Sequence, residues 1–331
     1  MEESRKKMYA PVVIITCNRY KHLKNCIESL SRCTYAEETE IYISVDYPPN
    51  EKYVQGWKKV KEYVKDIQGF KKVNIWFQDC NLGPFKNSDF IHERAFKKNE
   101  YIIFTEDDNI FAPAFLDYMN KMLQRFANDP KVYSIAGFSM LRPNYSSKIY
   151  KNYTFQPWGS GKWRDKWKYI CSLDRAQINE EYSRKFFKIA KLYFDNKWVF
   201  CAYISCLIRE SHDPDKTDLA LTLLFYLLGY CTIYPTKSLV KNNGFDGSGQ
   251  TCWEGAIIHI DDIELDQTPL FNYDDSMRIP VSKELQFPTP EWAKKSSKFG
   301  QDPLTYILLF IMGKERYKKW KRKRGGLWCE K

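Results

Sequence analysis

The chain predicts an α/β fold, a mostly parallel central sheet with helices on both faces, and three observations lead there. Short continuous apolar runs alternate with segments of helical periodicity over the first hundred or so residues. The early runs close in polar or acidic residues and turn signals, as buried strands do where they leave a sheet. The fourth run, Tyr101-Ile102-Ile103-Phe104, passes through Thr105 into three consecutive carboxylates, Glu106, Asp107 and Asp108.

In order, residues 11–16 (Pro-Val-Val-Ile-Ile-Thr) read as a strand and Cys17-Asn18-Arg19 as a polar turn. Leu23, Cys26, Ile27 and Leu30 then fall at helical spacing. Residues 40–45 alternate toward Asp46, Pro48-Pro49-Asn50 makes a turn, and Val54, Trp57, Val60, Tyr63 and Val64 mark a helix over 51–66. Residues 73–77 form a third strand, Asn81-Leu82-Gly83-Pro84 a loop, and 88–98 a helix. Beyond the carboxylates come a helix over 114–126, a strand over 132–136, a Trp- and Gly-rich loop over 155–167, and an amphipathic helix over 180–194. The apolar stretch 219–234, interrupted by Gly229 and ended by Pro235, is shorter than the roughly 20 residues a membrane span needs. It reads as a buried helix running into a strand. Residues 238–252 form a glycine-rich polar loop whose backbone N–H groups can face an anion.

The carboxylates stand at the carboxyl end of a strand, the edge where open α/β sheets bind ligands. Three acids so close repel one another unless a solvated turn or a cation relieves them. Both readings, acidic turn and cation site, remain open on this stretch alone. No Gly-x-Gly-x-x-Gly follows the first strand, which argues against a dinucleotide-dependent oxidoreductase.

With 44% hydrophobic and 28% charged residues over 331 positions, the chain has the composition of a folded globular protein rather than a disordered one. Residues 314–324 hold eight Lys or Arg against one Glu, so +7 of the net +11 sits there and a basic nucleic-acid-tracking face is not indicated. That cluster follows the apolar residues 303–313, with Trp320 inside it and Trp328 beyond, and suits either an interfacial membrane anchor or a solvated basic helix. Ten cysteines without a Cys-x-x-Cys, and a start, residues 1–8, lacking the apolar core of a signal peptide, fit a reducing cytoplasm. The tail would place the protein at the inner face of the membrane.

Taken together and in order, the first-strand loop, Ser44-Val45-Asp46, Glu106-Asp107-Asp108, and the Trp-Gly loop with residues 238–252 resemble the nucleotide-sugar glycosyltransferases of GT-A fold. The likeness is to bacterial transferases of surface-polysaccharide synthesis and, more distantly, to the N-acetylglucosaminyltransferase I group, over about residues 10–262. It implies a catalytic domain over 1–270, with a nucleotide half to about 112 and an acceptor half after it, and an extension over 271–331. It also implies that Thr16, Asn18 and Arg19 border the nucleotide, that Asp46 contacts base or ribose, and that Asn81 and Gly83 lie beside it. Glu106-Asp107-Asp108 matches the Asp-x-Asp-type motif. Asp108 would ligate Mn²⁺ or Mg²⁺ on the diphosphate of a donor, a UDP-sugar by preference, with Glu106 and Asp107 in support. Trp158, Trp163 and Asp246 would border donor sugar and acceptor, a saccharide or lipid-linked saccharide.

An inverting transfer needs a base for the acceptor hydroxyl. In the enzymes this chain resembles, it opens the helix before the strand leading to the glycine-rich loop. Asp213, Asp215 and Asp218 stand there. Asp218 fits best by its distance to Pro235 and Asp215 second, whereas helix capping explains such acids equally well. Two other functions use similar features: a nucleotidyltransferase or nucleotide-sugar hydrolase on a like sheet, though Thr16-Cys17-Asn18-Arg19 lacks the glycines these want, and a non-catalytic protein binding membrane or nucleic acid through the tail.

Overall fold

The structure, a computed structural model, describes residues 9–141, 144–208, 218–249, 263–282, 285 and 298–324. The first part runs β1 (Val12–Thr16), α1 (Tyr20–Ser31), β2 (Glu40–Val45), α2 (Glu51–Tyr63) with a 3-10 turn at Val64–Asp66, β3 (Lys72–Phe77), α3 (Gly83–Phe96) and β4 (Tyr101–Glu106). Then follow β5 (Asn109–Phe111), α4 (Phe115–Arg125), β6 (Val132–Ala136), β7 (Ile149–Asn152), β8 (Ser160–Trp163) and the helices α5 (Arg164–Ser172), α6 (Arg175–Ser183), α7 (Phe186–Asp195) and α8 (Lys197–Ile208). The chain continues with α9 (Asp218–Leu228), β9 (Cys231–Pro235), β10 (Val240–Asn242), α10 (Lys298–Met312) and α11 (Lys314–Lys323).

Eight strands make one sheet in the order β3-β2-β1-β4-β8-β6-β9-β7. β3, β2, β1 and β4 are parallel, and β6 and β9 are parallel to each other; β8 and β7 pair antiparallel with their neighbours. Alternation along the strands decides which helix covers which face. Val12, Ile14, Ile41, Ile43 and Ile103 pack with α1, α2 and α4. Val13, Ile15, Tyr42, Ile102 and Phe104 turn the other way, onto Ile91, Ala95 and Phe96 of α3. A second core, built by α7, α8, α9, α10 and α11, centres on Tyr203, Leu227 and Tyr306. Phe271, beyond the expected boundary at 270, packs into the main core.

Three expectations change. The helix expected from residue 88 begins at Gly83, because the Asp46 carboxylate accepts from Leu82 N and Gly83 N at 2.9 Å each and Pro84 fits a first turn. The helix expected over 180–194 is two, since the backbone leaves helical geometry at Lys185 (φ −92°, ψ 71°) and α6 and α7 each turn their own apolar face to α8. The Trp-Gly loop contains β8, inserted between β4 and β6 where a Cβ on Gly161 would press on Met119 and Leu123 at 3.0 Å. As expected, α9 is a buried helix that passes through Gly229 (φ +71°) into β9.

Candidate active site

β1, β2 and β4 end side by side, so Thr16, Asp46 and the carboxylate run emerge at one edge. Thr16 Oγ1 donates to Asp107 Oδ2 at 2.7 Å. Arg19, just before α1, spans the next two acids: Nη2 pairs with Asp107 Oδ1 and Nη1 with Asp108 Oδ2 at 2.9 Å. Burial opposes the charge on this guanidinium, but Asp107 and Asp108 together hold it firmly protonated. Burial, with the neighbouring acids against Arg19, lifts the Asp108 carboxyl above its ordinary value. Glu106 is pushed up to about 8, by burial first and then by Asp108, with smaller repulsion from Asp218 and Asp107.

The far wall comes from a segment more than a hundred residues later. β10 pairs antiparallel with β5, immediately after Asp108, and Asn242 Nδ2 donates to Asp108 Oδ1 at 2.9 Å. Asn243 N donates to the Asp108 carbonyl at 2.9 Å. Gly244 sits so close that a Cβ there would stand 2.2 Å from Asp108 Oδ2. Further along, Asp246 Oδ2 and Ser248 Oγ lie 3.0 and 3.2 Å from Nε2 of His22 on α1. Hydrogen bonding by Ser248, above all, holds the Asp246 carboxyl down at about 2, so it stays ionised.

Asp218 opens α9, in the place expected for the base, and lies within electrostatic reach of Glu106. Asp213, Asp215 and the loop end at 250–252 lie outside the described residues. Asp46 is turned inward. Its carboxylate accepts from Tyr47 N at 2.9 Å, Leu82 N, Gly83 N and Asn81 Nδ2 at 3.3 Å, so it shapes the loop of Asn81 and Gly83. Asn18 is fixed by its backbone: Gly56 of α2 approaches its carbonyl, where a Cβ would stand 2.3 Å from the oxygen.

Trp158 packs edge-on against Phe245 with ring centroids 5.7 Å apart, which puts it beside the glycine-rich segment. Trp163 is a correction. It is buried on β8 with Nε1 donating to Leu123 O at 3.0 Å, and so belongs to the core rather than to a sugar surface. Sequence reasoning missed His22, Asn242 and Gly244. A period of three from Arg19 puts His22 on the same side of α1, but its partner Asp246 is 224 residues away. It also missed Tyr47, which is 40% exposed next to Asp46 and rests against Trp57. Cys17 is no nucleophile, since burial, with Asp46 and Asp107, pushes its thiol up to about 12.

Asp107 and Asp108 offer carboxylate oxygens of the kind Mg²⁺ and Mn²⁺ take, and here the Asp108 oxygens meet Arg19 Nη1 and Asn242 Nδ2. Among the described residues no group of three or more His, Cys, Asp or Glu forms a closed cation cage.

The sequence profile described as Glycosyl transferase family 2 matches residues 12–213, more than half of the chain. No curated protein matches it. Among solved structures, S. aureus TarS 1–349 is 14% identical with a TM-score of 0.38, over 70% of this chain and 60% of that one. The mannosyltransferase PcManGT from Pyrobaculum calidifontis, in complex with GDP-Man and Mn²⁺, is 12% identical with a TM-score of 0.38, over 67% of this chain and 70% of that one. TarS 1–349 in complex with UDP-GlcNAc is 16% identical with a TM-score of 0.34, over 47% and 45%.

Proposed function

The chain belongs to glycosyl transferase family 2 and is a glycosyltransferase acting from a nucleotide sugar; from that premise we propose a metal-dependent, inverting transfer to a hydroxyl of a saccharide or glycolipid in surface-polysaccharide synthesis. The observation that carries this reading is the meeting of Arg19, Asp107 and Asp108 under the Asn242–Gly244 turn, with Asp218 within electrostatic reach of Glu106. The donor is a UDP-sugar, with the Asn81–Gly83 loop and Tyr47 beside the base and Asp46 holding that loop. Trp158 and Asp246 border the sugars, and the protein works in the cytoplasm at the inner face of the membrane.

In this reading Asp108, supported by Asp107, would hold Mn²⁺ or Mg²⁺, which when bound would offset negative charge on the departing nucleoside diphosphate. Arg19 supplies a second, fixed positive charge at the same edge. Asp218 takes the proton from the acceptor oxygen as that oxygen attacks the anomeric carbon on the face opposite the leaving diphosphate. Gly244 and Asn243 bring the backbone close against Asp108.

Asp108→Asn tests the metal assignment. Transfer should fall by about 10²–10³-fold or more, and the stabilisation that Mn²⁺ adds to a nucleotide-sugar thermal shift should disappear, with circular dichroism unchanged. Full turnover by the variant would remove Asp108 from the cation.

A further inference from the structure

We infer that α7, α10 and α11 together form a docking face for an anionic lipid bilayer. This deepens the reading of a membrane-borne acceptor by assigning the surface that meets the membrane, and it extends beyond the basic tail to a helix more than a hundred residues earlier. α7 turns Ile189 and Leu192 into the second core. On the opposite side, one stripe at helical spacing carries Phe187, Lys191 and Phe194, and the two phenylalanines are 87% and 83% exposed. α10 divides in the same way: Tyr306 and Leu309 face the core, while Leu304, Ile307, Phe310 and Ile311 face out, Ile311 at 72% exposure.

The two exposed faces are joined. The rings of Phe186 and Phe310 lie 5.3 Å apart, and Phe186 also meets Phe187 at 5.8 Å. A continuous apolar surface of this kind is unusual on a water-facing protein. What surrounds it selects the occupant. Gly313 (φ +75°) turns the chain directly from α10 into α11, which buries Tyr317 and presents Arg316, Lys319, Arg322 and Lys323 to solvent. Lys197 contributes from the flank of α7, while Lys185 and Lys191 are paired with Glu181 and Asp195, so the net positive charge of the rim comes chiefly from α11. Large apolar side chains rimmed by Lys and Arg match the acyl and anionic headgroup layers of a membrane. Neither helix crosses it: among the described residues no helix is long and apolar enough to span a bilayer.

The face is coupled to the candidate site through α9. Asp218 opens that helix, and Tyr226, eight residues on, donates to Asp195 of α7 at 3.1 Å. At 1.5 Å per residue that is about 12 Å along the axis. A protein seated by α7 would thus keep its proposed base about one short helix from the lipid surface, within reach of an acceptor sugar carried on a lipid.

Flotation with vesicles of phosphatidylcholine alone and of phosphatidylcholine with phosphatidylglycerol tests the inference on the full chain. The wild-type protein should float with the anionic vesicles and much less with the neutral ones, and added salt should release part of it. Replacing Phe187, Phe194 and Ile311 together by Ser should lower anionic-vesicle binding by about tenfold or more. The substitutions Lys319→Glu, Arg322→Glu and Lys323→Glu should abolish the preference for anionic vesicles; they change only solvent-facing positions and so carry the test if the first variant folds poorly. No wild-type flotation, or equal binding of wild type and both variants, overturns the inference. Concentration-dependent dimerisation in analytical ultracentrifugation that the Ser variant removes would also overturn it, by giving the face to a second copy. Thermal shift by a nucleotide sugar is read in parallel, so loss of the donor site and loss of the lipid face are separate failures.

Discussion

Two buried cations lie along the central sheet, Arg19 at its carboxyl edge and Lys162 within it on β8, and they are accommodated in opposite ways. Arg19 keeps its charge by facing Asp107 and Asp108. Lys162 Nζ is 2.8 Å from His92 Nε2, with the rings of Trp167 and Phe104 at 4.0 and 4.4 Å. His92 Nδ1 is 2.7 Å from the Ser88 carbonyl, which can only accept, so that nitrogen carries the hydrogen and Nε2 accepts from the lysine. Burial drives the Lys162 amine down to about 7 and, with Lys162 beside it, the His92 imidazole well below its ordinary value. Inside the sheet, then, charge gives way. At the edge, Arg19 stays protonated between Asp107 and Asp108.

The sharpest way to break this contrast is at the proposed base. Asp218→Asn should lower turnover by about 10²–10⁴-fold while a nucleotide sugar still shifts the melting temperature. Unchanged turnover would move the base to Asp215 or elsewhere. Next in size is Arg19→Met, which leaves Asp107 and Asp108 facing each other uncompensated. A loss of about 3–5 kcal/mol is expected in urea unfolding, and Mn²⁺ should restore part of it by taking over the charge balance. Gly244→Ala follows. Its Cβ would meet Asp108 Oδ2 at 2.2 Å, so the turn must shift, at about 1–3 kcal/mol. Mn²⁺ dependence of donor binding, measured calorimetrically, should weaken along with it.

The parallel half was legible because β1, β2 and β4 are buried on both faces and its helices carry clear apolar stripes, as Leu23, Cys26 and Ile27 do on α1. The place of the carboxylate run, at the carboxyl end of a strand, was legible because it directly follows an apolar run, whereas acidic turn and cation site stayed open on that stretch alone. β8 was not, since Ser-Gly-Lys-Trp has no β-branched residue and owes its place in the sheet to a close fit under α4. Trp163 was misread for the same reason: a tryptophan among glycines looks available until the strand is seen. The Asp108–Asn242 and His22–Asp246 contacts span 134 and 224 residues, and the antiparallel β5–β10 pair brings those partners together. Composition did locate the basic helix α11, but the phenylalanines of α7 that adjoin its apolar neighbour α10 required the fold.

The smallest expected effect belongs to Lys162→Met, and its pH dependence is what tests the interior half of the contrast. The variant loses a donor to His92 Nε2 but no longer bears the cost of stripping a proton from a buried amine, so near neutral pH it should be no less stable than the wild type. In the wild-type protein the folded amine titrates at about 7 while a free lysine titrates near 10.5. Between those values the unfolded chain binds the extra proton, so wild-type stability rises with pH, at a slope of up to about 1.4 kcal/mol per unit. Below pH 7 both states are protonated and the cost of the buried ammonium is fully present; above 10.5 both are neutral and the slope vanishes. Subtracting the variant's urea midpoints from those of the wild type at pH 6, 7.5 and 9 cancels the other titrating groups. The difference should move in favour of the wild type as pH rises. A pH-independent difference would mean that Lys162 keeps its proton in the folded sheet, as Arg19 does at the edge, and the two cations would then be handled alike.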